Sequence, residues 1–128
     1  MFTEYRILIF SDNPDELMKF YRDTLGMQLE KRYTLSNDYG YMFLVTPALR
    51  LWIAKHSEVH GKNKESFRHI FNLYVDSVDK WYNKIKNHPQ VEIICPPEKT
   101  PLYSKEKPFY VSTFMDPEGN CWQFVGKK

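Results

Sequence analysis

Cysteine is scarce in this chain. Cys95 and Cys121 are the only two among 128 residues, and they form no C-x-x-C. That excludes a disulfide-framework fold and the spacings of zinc modules. At this length a core forms without such staples. Both are read as reduced thiols of a cytosolic protein, with a bridge between them left open. Glycine is also sparse, at five residues, and none falls in a G-x-G-x-x-G, a P-loop or a G-x-S-x-G. This removes the glycine-cradled nucleotide sites and the nucleophile elbow. No apolar run approaches the ~18–20 residues of a membrane-spanning helix. Met1–Arg6 lacks a basic region ahead of an apolar stretch, so no secretory signal is expected and the default compartment is the cytoplasm. Excess charge of one sign is missing too: 18 basic and 16 acidic residues are interspersed and leave +2. The densest basic stretch is Lys80–Lys86, with Trp81 and Tyr82 between the lysines. Val78, Trp81, Tyr82 and Ile85 follow i, i+3, i+4, i+7, which describes an amphipathic helix with a solvated lysine face. Neither nucleic acid nor a membrane is therefore expected as a partner.

What the chain does have is aromatic residues, 16% of the total, and a pattern that occurs twice. Strand-like Tyr5–Phe10 precedes Asn13-Pro14, an N-cap followed by proline at the first helical position. Leu17, Phe20, Tyr21 and Thr24 then share a helical face, and Gly26 stands where a C′ glycine belongs. Three strand-like segments follow, Met27–Thr34, Tyr39–Thr46 and Leu49–Ala54, separated by Ser36-Asn37-Asp38 and Thr46-Pro47-Ala48. The order then returns. Strand-like Arg68–Val75 leads to Asp76 or Ser77 as cap, and to a helix whose apolar face repeats the first at a displacement of 61 residues. Val91–Ile94, Phe109–Met115 and Cys121–Val125 complete the second set. The expectation is one α+β domain of two βαβββ modules, residues 1–55 and 67–128, joined through 56–66.

The most specific segment is Met115–Val125. An apolar strand enters Asp116-Pro117-Glu118-Gly119-Asn120, and another leaves it. Asp116 can accept from turn N–H groups, Pro117 sets φ, and Gly119 and Asn120 tolerate φ > 0. Combined with Asn13-Pro14 and Phe20-Tyr21-Arg22-Asp23-Thr24-Leu25-Gly26, it resembles the vicinal oxygen chelate superfamily, which includes glyoxalase I, extradiol dioxygenases and bleomycin-resistance proteins. The resemblance covers nearly the whole chain. It implies two curved βαβββ sheets around a cleft, helices packed behind them, and a homodimer. On that plan alternation turns Trp122 and Phe124 toward a helix, and Cys121, Gln123 and Val125 toward the cleft. Leu49, Leu51 and Ile53 suit the helix side, which leaves Arg50, Trp52 and Ala54 for the cleft. The corresponding set from the first strand of the second module is Arg68, Ile70, Asn72 and Tyr74.

Glyoxalase-type members hold a divalent metal with one side chain from each of four cleft strands, the last typically a Glu seven residues after the turn Asp. Here that residue is Gln123, an uncharged and weaker ligand. The resemblance puts Arg6 or Tyr5, Trp52 or Arg50, and Ile70 (with His69 one residue away) or Asn72 at the other positions. A cation repels a cation, and Ile has no lone pair, so no metal and no other cofactor is expected, with a divalent metal as the alternative. His56, Glu58 and His60 alternate along the connection, but they lack the helical spacing of H-E-x-x-H and are read as an exposed loop.

Without a metal, the implied cleft is lined by aromatics and a few polar groups. It suits a flat, partly aromatic organic molecule. Tyr39, Tyr41 and Tyr110 are further aromatics at its border. Candidate ligand-binding residues are Arg6, Arg50, Trp52, Asn72, Tyr74, Tyr103, Cys121 and Gln123. The arginines would pair with an anionic group and the amides would hydrogen-bond. The thirteen residues Pro96–Pro108, with four prolines, are read as a long loop in which Leu102-Tyr103 could close over a ligand. No catalytic acid–base pair is evident, so the first expectation is a binding or sequestering protein of the bleomycin-resistance type. The alternatives are a metal-dependent lyase or dioxygenase, and a regulatory protein with a vestigial cleft.

Overall fold

A computed structural model describes residues 1–35 and 38–128, with the side chains of Leu35 and Asp38 left aside. Ser36 and Asn37, part of the separator read at 36–38, lie outside the described residues. The chain forms two compact units, residues 1–61 and 62–128.

The first unit runs β1 (Ile7–Ser11), α1 (Pro14–Lys19), β2 (Gln28–Leu35), β3 (Asp38–Thr46) and β4 (Leu49–Lys55). The second runs β5 (Ile70–Val75), α2 (Val78–Ile85), β6 (Glu92–Lys99), β7 (Tyr110–Met115) and β8 (Cys121–Gly126). Each unit is βαβββ with a four-stranded mixed sheet, in the orders β1-β4-β3-β2 and β5-β8-β7-β6. In each, the first strand pairs parallel with the last and the other pairs are antiparallel. The α+β fold expected from the repeat is therefore present. Among the described residues no helix is long and apolar enough to cross a membrane.

Local chemistry explains each start. Asn13 accepts from Glu16 N–H at 3.5 Å and Pro14 opens α1. Of the two caps considered for α2, Ser77 does the capping, its Oγ accepting from Lys80 N–H at 3.2 Å. The caps stand 64 residues apart, at 13 and 77, rather than the 61 suggested by the helix faces. An apolar face recurs every three to four residues, so pattern matching slips by a turn easily, whereas a cap marks one position.

The first helix differs from its expected form. After Lys19 it continues as a π-helical turn, Phe20–Thr24, in which Leu25 N–H donates to Phe20 C=O at 3.1 Å. The wider turn lets Leu25 take the buried place that regular spacing assigns to Thr24. Leu17, Met18, Phe20, Tyr21 and Leu25 are all buried, and Gly26 follows with φ 70°.

Alternation sorts the sheets as expected from the pleat. Leu51, Ile53, Tyr41 and Phe43 are buried on the α1 side. Trp122, Phe124 and Phe114 are buried in the second unit, where Trp81 of α2 stacks on Phe124 at 5.4 Å. Each such full burial contributes about 1.5–3 kcal/mol. The strand expected at 91–94 is longer: β6 runs through Pro96 and Pro97 to Lys99. It is the edge strand, its pairing with β7 shifts between Cys95 and Glu98, and prolines fit such irregular edges because no ladder N–H is demanded of them. The loop read at 96–108 therefore starts only after Lys99. Cys95 and Cys121 are both free thiols.

Candidate functional site

In the first unit, the sheet face away from α1 carries the residues of opposite parity to the core. Leu8 pairs with Trp52, Phe10 with Ala54, Ala54 with Gly40 and Gly40 with Tyr33. These side chains, with His56 just past β4, line a pocket of about 240 Å³. Tyr33 lies 4.7 Å from the Trp52 ring, and His56 meets Phe10 edge-on at 4.9 Å. Gly40 makes this possible by close approach. A Cβ at that position would lie 2.6 Å from Trp52 Nε1 and 2.8 Å from Ile53 C=O. The indole N–H is thereby buried, with no hydrogen-bond partner among the described residues. His56 Nδ1 accepts from Glu58 N–H at 3.0 Å, so its ring is held in place by the loop that follows. Lys55 is engaged at the rim: its Nζ donates to Asp12 C=O at 2.6 Å and to Asp12 Oδ1 at 3.1 Å. Together with Gly61 N–H, that ammonium holds the Asp12 carboxyl below its ordinary range.

The two candidate arginines are committed to carboxylates. Arg50 Nε donates to Glu30 at 2.7 Å, and its Nη1 reaches Pro47 C=O at 3.2 Å. Arg6 lies one residue ahead of β1 and pairs with Glu4 at 3.1 Å. Tyr41, expected at the cleft border, faces α1 instead: it is buried, and its hydroxyl donates to Asp15. Burial and that carboxylate both push the Tyr41 phenol up. Its parity with Phe43 decides this, since neighbours two apart share a face. Tyr39 meets Tyr41 edge-on at 6.5 Å and also borders the pocket. Leu8, Phe10, Tyr33, Gly40 and Lys55 are pocket residues that sequence reasoning did not select, and His56, read as part of an exposed loop, lines the pocket as well. β1 is apolar at Ile7, Leu8, Ile9 and Phe10 alike, so no alternation marked the second face.

In the second unit, Asn72 pairs with Gln123, and Gln123 with Thr113, on the face away from α2. Gln123 Nε2 donates to Thr113 Oγ1 at 3.0 Å. Ile70 and Tyr74 of β5 flank Asn72 on that face, and Tyr74 meets Phe109 at 6.4 Å. Cys121 has the same parity but is 1% exposed, and burial, followed by the Asp116 charge, pushes its thiol up. Tyr103 packs edge-on against Tyr110 at 5.6 Å, under the Lys99 ammonium at 4.5 Å. Tyr110 shares the parity of Ser112 and Phe114, so this pair belongs to the α2 side rather than to the face of Gln123. Leu102 is 83% exposed. His69 precedes β5 and is exposed.

The turn that points most directly to a family is formed as its residues suggest. Asp116 is buried and its Oδ1 accepts from Glu118 N–H and Asn120 N–H, both at 2.9 Å, while Gly119 adopts φ 81°. A model of the Glyoxalase/Bleomycin resistance protein/Dioxygenase superfamily matches residues 5–124. The chain belongs to this superfamily. Among solved structures, glyoxalase I from Zea mays superposes with a TM-score of 0.76 at 16% identity, over 95% of this chain and 43% of that one. This chain thus spans less than half of the maize enzyme. A superfamily member from Sphaerobacter thermophilus DSM 20745 gives 0.72 at 18% identity, covering 98% of this chain and 97% of its own. TioX from Micromonospora sp. ML1 gives 0.71 at 14%, covering 98% and 99%. At these identities the likeness shows the fold alone. No curated protein matches the sequence significantly.

The superfamily's enzymes take their metal ligands from strands equivalent to β1, β4, β5 and β8. The caps at 13 and 77 make Leu8 and Asn72 equivalent, each five residues before its cap. Their sheet partners Trp52 and Gln123 are equivalent in turn. By this register Leu8 stands beside Trp52 and Asn72 beside Gln123, whereas Arg6 and Tyr5 precede β1 and Ile70 pairs with Cys121. β1 runs to Ser11, whose Oγ accepts from Asn13 N–H, so no longer loop intervenes. Neither the Leu8–Trp52 pair of the first unit nor the Asn72–Gln123 pair of the second offers the carboxylate or imidazole donors that suit a divalent ion. Among the described residues no three His, Cys, Asp or Glu gather into a metal site.

Proposed function

We propose that this chain binds a flat, partly aromatic small organic molecule in the pocket of its first unit, without a metal, as a binding or sequestering protein. The observation that carries the reading is the aromatic pocket built on Gly40 by Leu8, Phe10, Tyr33, Trp52 and His56. At about 240 Å³ it lies just below the ~300–1,000 Å³ of drug-sized sites, so it suits a single or fused ring system. Ring stacking on Tyr33 and Trp52 adds about 0.5–1.5 kcal/mol per contact beyond burial. The donor chemistry at the family's ligand positions supports a metal-free site.

The reading includes a homodimer in the cytoplasm. Leu8 and Phe10 are 47% and 40% exposed, and apolar surface of this kind commonly awaits a ligand or a second chain. A thermal-shift screen of fused aromatic and antibiotic-like compounds, followed by Trp fluorescence titration, tests the binding. Hits should raise the melting temperature of the wild type and lose that effect in Trp52→Ala. If no aromatic compound stabilises the protein, the reading fails. Near-stoichiometric Zn, Ni, Mn or Fe in the purified protein would favour a lyase or dioxygenase instead.

A further inference from the structure

The face of the second unit away from α2 has a chemistry of its own. Its residues lie in three rows across the strands. The central row is Asn72, Gln123 and Thr113, and it meets Cys95 on β6. One flanking row is Ile70, Cys121 and Met115, and the other is Tyr74, Val125 and Val111. A polar strip thus crosses an otherwise apolar face. None of these positions on β5, β8 and β7 bears a charge. The nearest charges by register are Glu92 and Glu98 on the edge strand, both acidic. An anion on this face would stand near these carboxylates, which disfavours it.

Hydrogen bonding gives the strip a direction. Gln123 Nε2 donates to Thr113, so the amide nitrogen points toward β7. Its Oε1 has no partner among the described residues, and β5, the strand of Asn72, lies on the other side of β8. The Asn72 amide likewise has no partner among them, and the residue is exposed. Adjacent strands lie about 4.8 Å apart, which brings the two amide heads within reach of one small planar group.

We propose that this face recognises a neutral group carrying an adjacent N–H donor and C=O acceptor: a carboxamide, lactam, imide or urea. The ligand N–H donates to Gln123 Oε1, and the ligand carbonyl accepts from Asn72 Nδ2. Thr113 fixes the orientation of Gln123. The flanking Ile70 and Tyr74 give the rest of the ligand apolar contact. An analogue that lacks either partner makes only one of the two hydrogen bonds and binds more weakly. The strip stands independently of the first unit's pocket.

The test uses the full chain and four probes of one shape: benzamide, benzoate, acetophenone and benzylammonium. Side-chain amide signals of Asn72 and Gln123 and the indole signal of Trp52 are followed by ¹H–¹⁵N NMR. Benzamide should move both amide signals and bind about tenfold tighter than benzoate or acetophenone. Asn72→Ala and Gln123→Met should each abolish that preference, and Thr113→Val should weaken it. Asn72 is exposed, so Asn72→Ala provides the test if Gln123→Met or Thr113→Val fails to fold. Equal binding of benzamide and benzoate, or benzamide shifts confined to residues other than Asn72 and Gln123, would overturn the proposal. So would absence of benzamide binding to this face. Shifts at Trp52 alone would leave the first unit's pocket supported while refuting this one.

Discussion

At Gly40 the missing side chain is filled by the indole of Trp52. Gly40→Ala would put a methyl group 2.6 Å from Trp52 Nε1 and 2.9 Å from the Ala54 Cβ. Overpacking of this kind costs about 1–3 kcal/mol, and the indole is the part free to swing away. We expect a lower melting temperature and weaker binding of aromatic hits together; unchanged binding with a displaced Trp52 fluorescence spectrum would remove Trp52 from the site. The cysteines give a second prediction. Burial pushes both thiols above their ordinary value of 9.0, so the reactive thiolate is a small minority at neutral pH. Alkylation should be slow at pH 7 and accelerate as pH rises through and beyond that value. Cys121, at 1% exposure, should react only after denaturant is added. Mass spectrometry of alkylated peptides checks this, and rapid native labelling of Cys121 would contradict its placement.

Among the elements, the β7–β8 hairpin depends on one buried carboxylate. Besides the two backbone N–H groups, Asp116 accepts from Asn120 Nδ2 at 2.9 Å. Asp116→Ala leaves those donors facing a void, and losing charge-assisted bonds there should cost about 1.5–3 kcal/mol in denaturant unfolding. A variant as stable as wild type would show that the turn holds without its carboxylate. The start of this hairpin and both helix caps are legible in sequence because Asp, Asn, Pro and Ser act on groups two to four residues away. The π-helical turn after Lys19 is not legible in that way. Its gain is tertiary, since it delivers Leu25 rather than Thr24 to the core. The extension of β6 through Pro96-Pro97 is similarly hidden, because proline reads as loop until the strand is known to be an edge.

Two tryptophans, one in each unit, report on different sides of their own sheets: Trp52 on the side away from α1 and Trp122 on the side of α2. Trp122 is 2% exposed and its ring lies 4.9 Å from Phe71 on the α2 side. Trp122→Ala should cost about 3–5 kcal/mol. Trp52→Ala should cost less stability and instead weaken ligand binding by roughly 1–3 kcal/mol. If Trp52→Ala unfolds the protein while Trp122→Ala is tolerated, the assignment of faces is inverted. Sedimentation equilibrium tests the assembly: the expected species is twice the 15.4 kDa chain mass, and a monomer at all concentrations would leave the exposed Leu8 and Phe10 to another role.

The sequence by itself determined what depends on short-range chemistry. Two helix starts, one carboxylate-bound turn and the βαβββ repeat follow from spacing and capping, and the superfamily resemblance adds which face of Leu49–Ala54 and Cys121–Val125 meets a helix. The tertiary structure decided what depends on register between strands remote in sequence. Only pairing shows that Leu8 stands beside Trp52, that Gly40 admits the indole, and that Asn72 rather than Ile70 accompanies Gln123. A shift of one residue reverses a strand's faces, and a shift of two exchanges one neighbour for the next on the same face. Local sequence carries no term that selects between two such neighbours; the packing of the assembled sheet does.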